Sequence, residues 1–139
     1  MTTDARRVLI VEDDAYQATW FASVLTRAGY AVVGPAADEL SALMLIGENP
    51  PDAALVDVDL SGARAASPGG ARTSAQVVAA LADWGVPIVV VSSHPEVGFL
   101  PPADPGMIRL RKPARERDLV AALRTVLGRR QGAIDPQPG

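Results

Sequence analysis

The chain of 139 residues contains 48% hydrophobic and 21% charged residues, which is typical of one globular domain rather than a disordered chain. Its net charge of −3 does not indicate a nucleic-acid or membrane-surface binder, and the lack of cysteine excludes disulfides, thiolate zinc sites and cysteine nucleophiles. No apolar stretch approaches the roughly 18 residues of a membrane span, and the amino-terminal apolar run is too short for a signal peptide, so we expect a cytoplasmic protein.

Short β-branched runs alternate with helix-like segments along the chain. The five predicted strands are Val8–Val11, Ala31–Gly34, Ala53–Asp57, Pro87–Val91 and Met107–Leu110. Because strands and helices alternate with short connections, the sequence predicts right-handed βαβ units. The expected fold is therefore a parallel sheet with helices on both faces.

The helices are predicted from apolar residues at helical spacing and from glycine or proline at their ends. The first helix follows Asp14, which we interpret as its cap, and Gly29 is its stop signal. The others are Glu39–Glu48, Thr73–Trp84 and Arg115–Leu127, the last closed by Gly128.

Three segments interrupt this pattern. Ser61–Arg72 is rich in glycine and is predicted to be a long loop, whereas four prolines in His94–Gly106 leave any helix there short or absent. The segment Arg129–Gly139 is predicted to be a disordered tail, so the domain is expected to span residues 1–128.

Polar side chains follow four of the predicted strands. They are Glu12-Asp13-Asp14 after the first strand, Asp57-Val58-Asp59 at the third, Ser92-Ser93 after the fourth and Lys112 after the fifth. Since ligands bind beyond the carboxyl ends of parallel strands, we expect these side chains to meet at one edge of the sheet.

The residue types at this edge fit phosphoryl transfer. Neighbouring carboxylates stay ionised together when a cation balances them, and Mg²⁺ prefers oxygen ligands and accepts phosphate oxygens. A carboxylate can attack phosphorus and form an acyl phosphate. Asp57 fits this nucleophile, Glu12 and Asp13 the metal ligands, Ser92 a hydroxyl donor, and Lys112 the positive charge that a transferring phosphoryl group needs. Lys112 is the only lysine of the chain, which favours a role for a compact point charge.

Four segments resemble the signature regions of bacterial response-regulator receiver domains. They are VLIVEDD (Val8–Asp14), DAALVDVDL (Asp52–Leu60), PIVVVSS (Pro87–Ser93) and LRKP (Leu110–Pro113), and the match spans roughly Arg6 to Leu127. The resemblance implies a flavodoxin-like (CheY-like), doubly wound five-stranded parallel sheet with strand order 2-1-3-4-5 and helices on both faces.

The resemblance also implies roles for individual residues. Asp57 would be the phosphoacceptor, Asp13 would bind Mg²⁺ directly with Glu12 nearby, and the main-chain carbonyl of Asp59 would be a further ligand. Ser92 would move toward the phosphoryl group after transfer.

Other implications concern the fifth strand. Lys112 would contact the phosphoryl group, and the Lys112–Pro113 peptide bond is often cis in the family. Three residues before Lys112, many receivers carry an aromatic switch residue. This position is Arg109 here, so its role stays open.

The implied donor is a phosphorylated histidine of a sensor histidine kinase or of a histidine phosphotransfer protein. The chain would act as a phosphorelay intermediate or as a switch that binds a downstream protein, without direct contact to nucleic acid or membrane. The pattern is similar to that of stand-alone receivers. Such a protein is a phosphoacceptor rather than an enzyme, and we expect slow self-dephosphorylation.

Two alternatives remain at the level of sequence. A degenerate receiver would use the fold only for protein binding, although its usual mark is loss of the acceptor or of the lysine. A haloacid-dehalogenase-like phosphatase would use Asp57 and Asp59 as its DxD pair, but that motif should lie near the amino terminus, and a whole βα unit precedes Asp57 here.

Overall fold

The computed structural model describes residues 5–57, 70–92 and 107–134, with the backbone alone for residues 70–75 and 129–134. Its elements are β1 (Arg7–Val11), α1 (Ala15–Arg27), β2 (Ala31–Ala36), α2 (Glu39–Glu48), β3 (Ala53–Asp57), α3 (Gly70–Asp83), β4 (Ile88–Ser92), β5 (Met107–Arg111) and α4 (Glu116–Ile134). All strand pairs are parallel, and the sheet order is β2-β1-β3-β4-β5. The flavodoxin-like fold and the strand order are therefore confirmed. No helix among the described residues is long and apolar enough to cross a membrane.

The central strand β3 shows how the sheet separates two hydrophobic layers. Successive strand side chains point to opposite faces, so Ala53 and Leu55 pack with α1 and α4, while Ala54 and Val56 pack with α2 and α3. All five residues of β3, ending with Asp57, are buried. A parallel strand that is covered on both faces needs such a continuous apolar run, which is why these strands were recognisable from sequence.

Capping side chains place the helices at the ends of the strands. Asp14 caps α1 by accepting a hydrogen bond from the Tyr16 backbone N–H at 3.4 Å, as its predicted cap role requires. Asp38 caps α2 and accepts from the Ser41 N–H at 2.8 Å. The turn from β1 into α1 is thereby fixed directly beside Glu12, at the edge where the candidate site lies.

Two predicted helix boundaries were wrong by three residues or more. Helix α3 begins at Gly70 rather than Thr73, so the predicted loop Ser61–Arg72 is helical at its end, and its other residues lie outside the described part of the chain. Helix α4 continues through Gly128 to Ile134. An exposed glycine inside a helix costs only about 1 kcal/mol, and the buried side chains of Val126 and Leu127 anchor the preceding turn, so Gly128 does not end the helix.

Residues 129–134, expected in a disordered tail, are therefore helical. Residues 135–139 and the proline-rich segment 94–106 lie outside the described residues, and the domain boundary at residue 128 stays a prediction.

Candidate functional site

The carboxyl ends of four strands position the candidate site. Asp57 is the last residue of β3, Ser92 is the last residue of β4, and Glu12 follows β1 directly. The register pairs Asp57 with Val91 and the preceding Val56 with Val11. Glu12 and Ser92 therefore lie on either side of Asp57, Glu12 at the level of Asp57 and Ser92 one residue beyond that level.

Lys112 makes an ion pair with Asp57. Its Nζ donates a hydrogen bond to Asp57 Oδ2 at 2.8 Å, and the side chains are 23% and 2% exposed, respectively. The Lys112 backbone N–H donates to the Ser92 carbonyl at 2.8 Å, which extends the β4–β5 ladder by one residue. The Lys112–Pro113 peptide bond is cis, as the resemblance implied. The single lysine of the chain thus neutralises a carboxylate that is almost wholly buried.

Glu12 is a second buried carboxyl group at this edge, and it is 3% exposed. Its Oε2 accepts a hydrogen bond from the Asp14 backbone N–H at 3.0 Å, whereas Oε1 is buried without a hydrogen-bond partner among the described residues. Burial first, and then the neighbouring Asp57 carboxyl, raise the pKa of Glu12 to about 9. Two carboxylates can only accept, so a proton on Glu12 is required for a hydrogen bond between them.

The charges of these three side chains do not balance when both acids are ionised. Glu12 and Asp57 would carry two negative charges against the single positive charge of Lys112. Oε1 of Glu12 is a buried oxygen that accepts no hydrogen bond from the part of the chain that the structure describes. Both features fit a bound cation, which would replace the proton and allow both acids to ionise.

The other predicted metal ligands are less well defined. Asp13 is half-buried and follows Glu12 directly, while Asp59 lies outside the described residues. Among the residues that the structure describes, no group of three or more acidic or histidine side chains is arranged around a possible metal position. Of the four predicted ligands, Glu12 and Asp57 are therefore the two whose carboxyl groups are neighbours among the described residues.

Comparisons with known proteins decide the family. The sequence pattern described as "Response regulator receiver domain" matches residues 8–124. The chain belongs to the response-regulator receiver family. Receiver domains are signalling modules of two-component systems rather than conventional enzymes. No curated protein sequence gives a significant match to the chain.

Solved structures agree with this family at the level of the fold. A response regulator receiver protein from Sinorhizobium medicae is 24% identical, with a TM-score of 0.74, covering 93% of this chain and 99% of the other. The receiver domain of PhyR from Erythrobacter litoralis is 21% identical, with a TM-score of 0.72, covering 90% and 92%. A signal receiver domain from Desulfovibrio desulfuricans is 25% identical, with a TM-score of 0.71, covering 94% and 99%.

One support of this receiver site could not be read from residue types. The backbone N–H of Glu12 donates to the Ala36 carbonyl at 2.9 Å, so the end of β2 holds Glu12 in place. The Gly34–Pro35 peptide bond directly before Ala36 is cis, and the pairing between β1 and β2 shifts register at the same place. A Cβ at Gly34 would lie 2.7 Å from the Ala36 nitrogen and 3.2 Å from the Ile10 carbonyl oxygen. The only sequence signal is the Gly-Pro pair itself.

Arg109 occupies the position of the aromatic switch residue. It lies on the edge strand β5, where it pairs with Val90, and its side chain is exposed. An exposed arginine cannot rotate into an apolar site as an aromatic ring can, so coupling through a buried ring at this position is excluded.

Proposed function

We propose that this receiver domain accepts a phosphoryl group onto Asp57 from a phosphohistidine of a sensor histidine kinase or histidine phosphotransfer protein, in a reaction that requires Mg²⁺. The phosphorylated domain would serve as a phosphorelay intermediate or as a switch that binds a downstream protein. The ion pair of 2.8 Å between Lys112 and the buried Asp57 supports this most directly. An ordinary strand end has no need of a buried carboxylate with its own ammonium group.

The proposed step converts the Asp57 carboxylate into an acyl phosphate. A carboxylate oxygen attacks phosphorus and forms the new O–P bond, while the P–N bond of the donor breaks and its electron pair stays on the imidazole. Charge then moves from the carboxylate to the phosphoryl oxygens. Lys112 already contacts Oδ2 and would follow this charge outward, and the hydroxyl of Ser92 would donate a hydrogen bond to the same group.

Glu12, Asp13, Asp57 and the main-chain carbonyl of Asp59 would hold the Mg²⁺. The bound ion would neutralise the excess negative charge of the acids and of the incoming phosphoryl oxygens. Oε1 of Glu12 supports this assignment, because the atom is buried beside Asp57 and no described residue donates a hydrogen bond to it.

Two alternatives are weaker. A degenerate receiver would not need the acceptor and its lysine in contact, yet Asp57 and Lys112 form a short ion pair. A haloacid-dehalogenase-like phosphatase would require its nucleophile near the amino terminus, whereas Asp57 ends the third strand and the family match extends over residues 8–124.

Phosphorylation is tested by intact-mass measurement after incubation with acetyl phosphate and Mg²⁺. We expect one added phosphoryl group in the wild type and in Asp83→Ala, an exposed acid remote from the site, and none in Asp57→Ala. Labelling that persists in Asp57→Ala would show that another residue is the acceptor. Absence of label in the wild type, with both acetyl phosphate and a panel of phosphorylated histidine kinases, would favour the degenerate receiver.

The metal site is tested by titrating Mg²⁺ into the unphosphorylated chain in a calorimeter. Glu12→Gln and Asp13→Ala should each raise the dissociation constant at least about tenfold, because each removes one carboxylate from the cation. Asp83→Ala is the matched control, since it removes an equal charge at a distance. If all three variants bound Mg²⁺ equally, Glu12 and Asp13 would not be ligands.

A further inference from the structure

Helix α2 presents large apolar side chains to solvent. Leu40 is 69% exposed and Met44 is 55% exposed, and their spacing of four residues places them on one face. The opposite face contributes the buried Ala42 and Ile46 to the core. A helix that is apolar on both its core face and its outer face is typical of a segment that another molecule covers.

The neighbouring helix extends this feature. Helix α2 packs against α3, and Trp84, which directly follows α3, is also exposed. We call the combined region the α2–α3 surface, and its members are the apolar Leu40, Met44 and Trp84 and the acidic Asp38, Glu39, Glu48 and Asp83. Three of the five large apolar side chains that are exposed among the described residues therefore lie on this surface.

Among the described side chains, the charge of the α2–α3 surface is of one sign. The described side chains of the two helices and of the cap Asp38 include four carboxylates and no lysine or arginine. Arg7 reaches the end of α2 from β1, but its guanidinium donates to the carbonyls of Asn49 and Pro50 at 3.2 Å and 3.1 Å. An apolar ridge flanked by acids matches a ligand that is apolar in its centre and basic at its flanks.

We propose that the α2–α3 surface binds an amphipathic helix of a partner protein, with aliphatic side chains on one face and lysine or arginine beside them. A second copy of this chain does not fit, because a symmetric contact would bring the carboxylates of one copy, such as Glu39 and Glu48, against those of the other. An anionic lipid surface is repelled by the same four carboxylates. Such a partner would bind on the sheet face opposite α1 and α4, through residues other than the proposed phosphoacceptor and its lysine.

The probe is a synthetic peptide of roughly 18 residues, long enough to form a helix, with leucine at helical spacing and lysine elsewhere. A second peptide replaces each lysine with glutamate. Calorimetry and amide chemical shifts of the full chain measure affinity and location. We expect saturable binding of the lysine peptide only, weakened by salt, with the shifts concentrated in residues 38–48 and near Trp84.

Variants locate the contact. Leu40→Gln together with Met44→Gln should weaken binding of the lysine peptide at least about tenfold, because the double variant lacks the two exposed apolar side chains that the peptide would bury. Glu48→Lys should weaken it as well by reversing one charge. The matched control is Tyr16→Gln, which removes an exposed apolar side chain from α1 and should leave the affinity within about twofold. All of these positions are exposed, so urea midpoints should stay near that of the wild type.

Several results would overturn this proposal. They are equal binding of the glutamate peptide, unchanged affinity in the Leu40 and Met44 double variant, and equal loss of affinity in Tyr16→Gln. If the wild type sedimented as a dimer and the double variant as a monomer, the surface would bind a second copy of the chain instead. Flotation of the chain with phosphatidylserine vesicles, lost in the double variant, would assign it to a membrane.

Discussion

Replacing Lys112 with methionine removes the ammonium group from Asp57 and retains a side chain of similar length. The carboxylate of Asp57 is 2% exposed, so the variant leaves a buried negative charge beside Glu12 without its counter-ion. We expect the free energy of unfolding to fall. The size of this loss measures how much Lys112 stabilises the metal-free site.

The magnitude follows from burial. Removing one partner of a fully buried pair costs about 3–5 kcal/mol, whereas exposed pairs contribute at most about 1 kcal/mol. Lys112 is 23% exposed, so solvent already weakens the interaction from one side, and we expect a loss of about 2 kcal/mol. Asp57→Asn alone should cost less, because it also removes the charge that helps to raise the pKa of Glu12.

A double-mutant cycle isolates the pair. In the Asp57→Asn background, Lys112→Met should cost less than about 1 kcal/mol, which gives a coupling free energy of about 1–2 kcal/mol. The measurement is urea unfolding with a chelator at about pH 7, where the acids would be ionised in the unfolded chain. Arg117→Met, at an exposed position on α4, is the matched control and should change stability by less than about 0.5 kcal/mol.

The reasoning is refuted if the two changes are additive within about 0.5 kcal/mol. Additivity would mean that the contact of 2.8 Å between Lys112 and Asp57 contributes no net free energy. A loss in Arg117→Met as large as that in Lys112→Met would show that the net charge of the chain, rather than this pair, determines stability.

Two further predictions concern backbone and surface charge. Gly34→Ala should lower the unfolding free energy by about 3 kcal/mol, against about 1 kcal/mol for Gly29→Ala, because both residues have positive φ but only Gly34 has backbone atoms within reach of a Cβ. Urea midpoints compare them, and equal losses would contradict the proposed close approach. A hydrogen bond from Arg27 lowers the pKa of Glu116. The stability that this bond contributes is therefore present above the pKa of Glu116 in the unfolded chain, and it is lost as the pH falls through the pKa of Glu116 in the folded chain. Glu116→Gln should therefore lower the melting temperature at about pH 7 and have less effect at about pH 3, and an effect independent of pH would exclude an ionic origin.

The strands were predictable because the sheet is covered on both faces. A central strand such as Ala53–Asp57 must be apolar along its whole length, and the sequence predicted its bounds to the residue. The β2 strand was underestimated by two residues, since Gly34 and Pro35 are normally signals of a chain turn. Here they form a bulged continuation of the strand, held by the register shift against β1. Glycine and proline mark an irregular backbone without telling whether it leaves the sheet.

The end of α4 shows a different limit. In the sequence, Gly128 predicts the end of the helix, because glycine commonly follows the last turn. A helical glycine is instead a modest local cost that packing can offset, and Leu123, Val126 and Leu127 are buried directly before it. Tertiary burial therefore outweighed the local signal, and only the structure shows which side chains reach the core.

The site was predictable as a set of residue types at strand ends, since parallel topology brings those ends to one edge. Its electrostatics were not. Glu12 was interpreted only as a metal ligand, and no property of the sequence indicates that one of its oxygens is buried without a partner or that its pKa rises to about 9. These follow from burial and from the distance to Asp57, which depend on the register of β1 against β3.

The metal-free site is therefore arranged so that its charge depends on what binds. Without a cation, a proton on Glu12 compensates for the excess of carboxylates over Lys112. A cation that binds only the folded chain would displace that proton and add stability in proportion to the logarithm of its concentration. If the proposed function is right, phosphorylation of Asp57 would add about −1.5 to −2 units of charge at this edge of the sheet. Lys112 hydrogen-bonds to Asp57 through its side chain and to Ser92 through its backbone, so it connects the phosphoacceptor proposed at the end of β3 with the ends of β4 and β5. Because β5 carries the exposed Arg109 at the usual position of the aromatic residue, we expect Lys112 and the end of β4 to respond to the new charge.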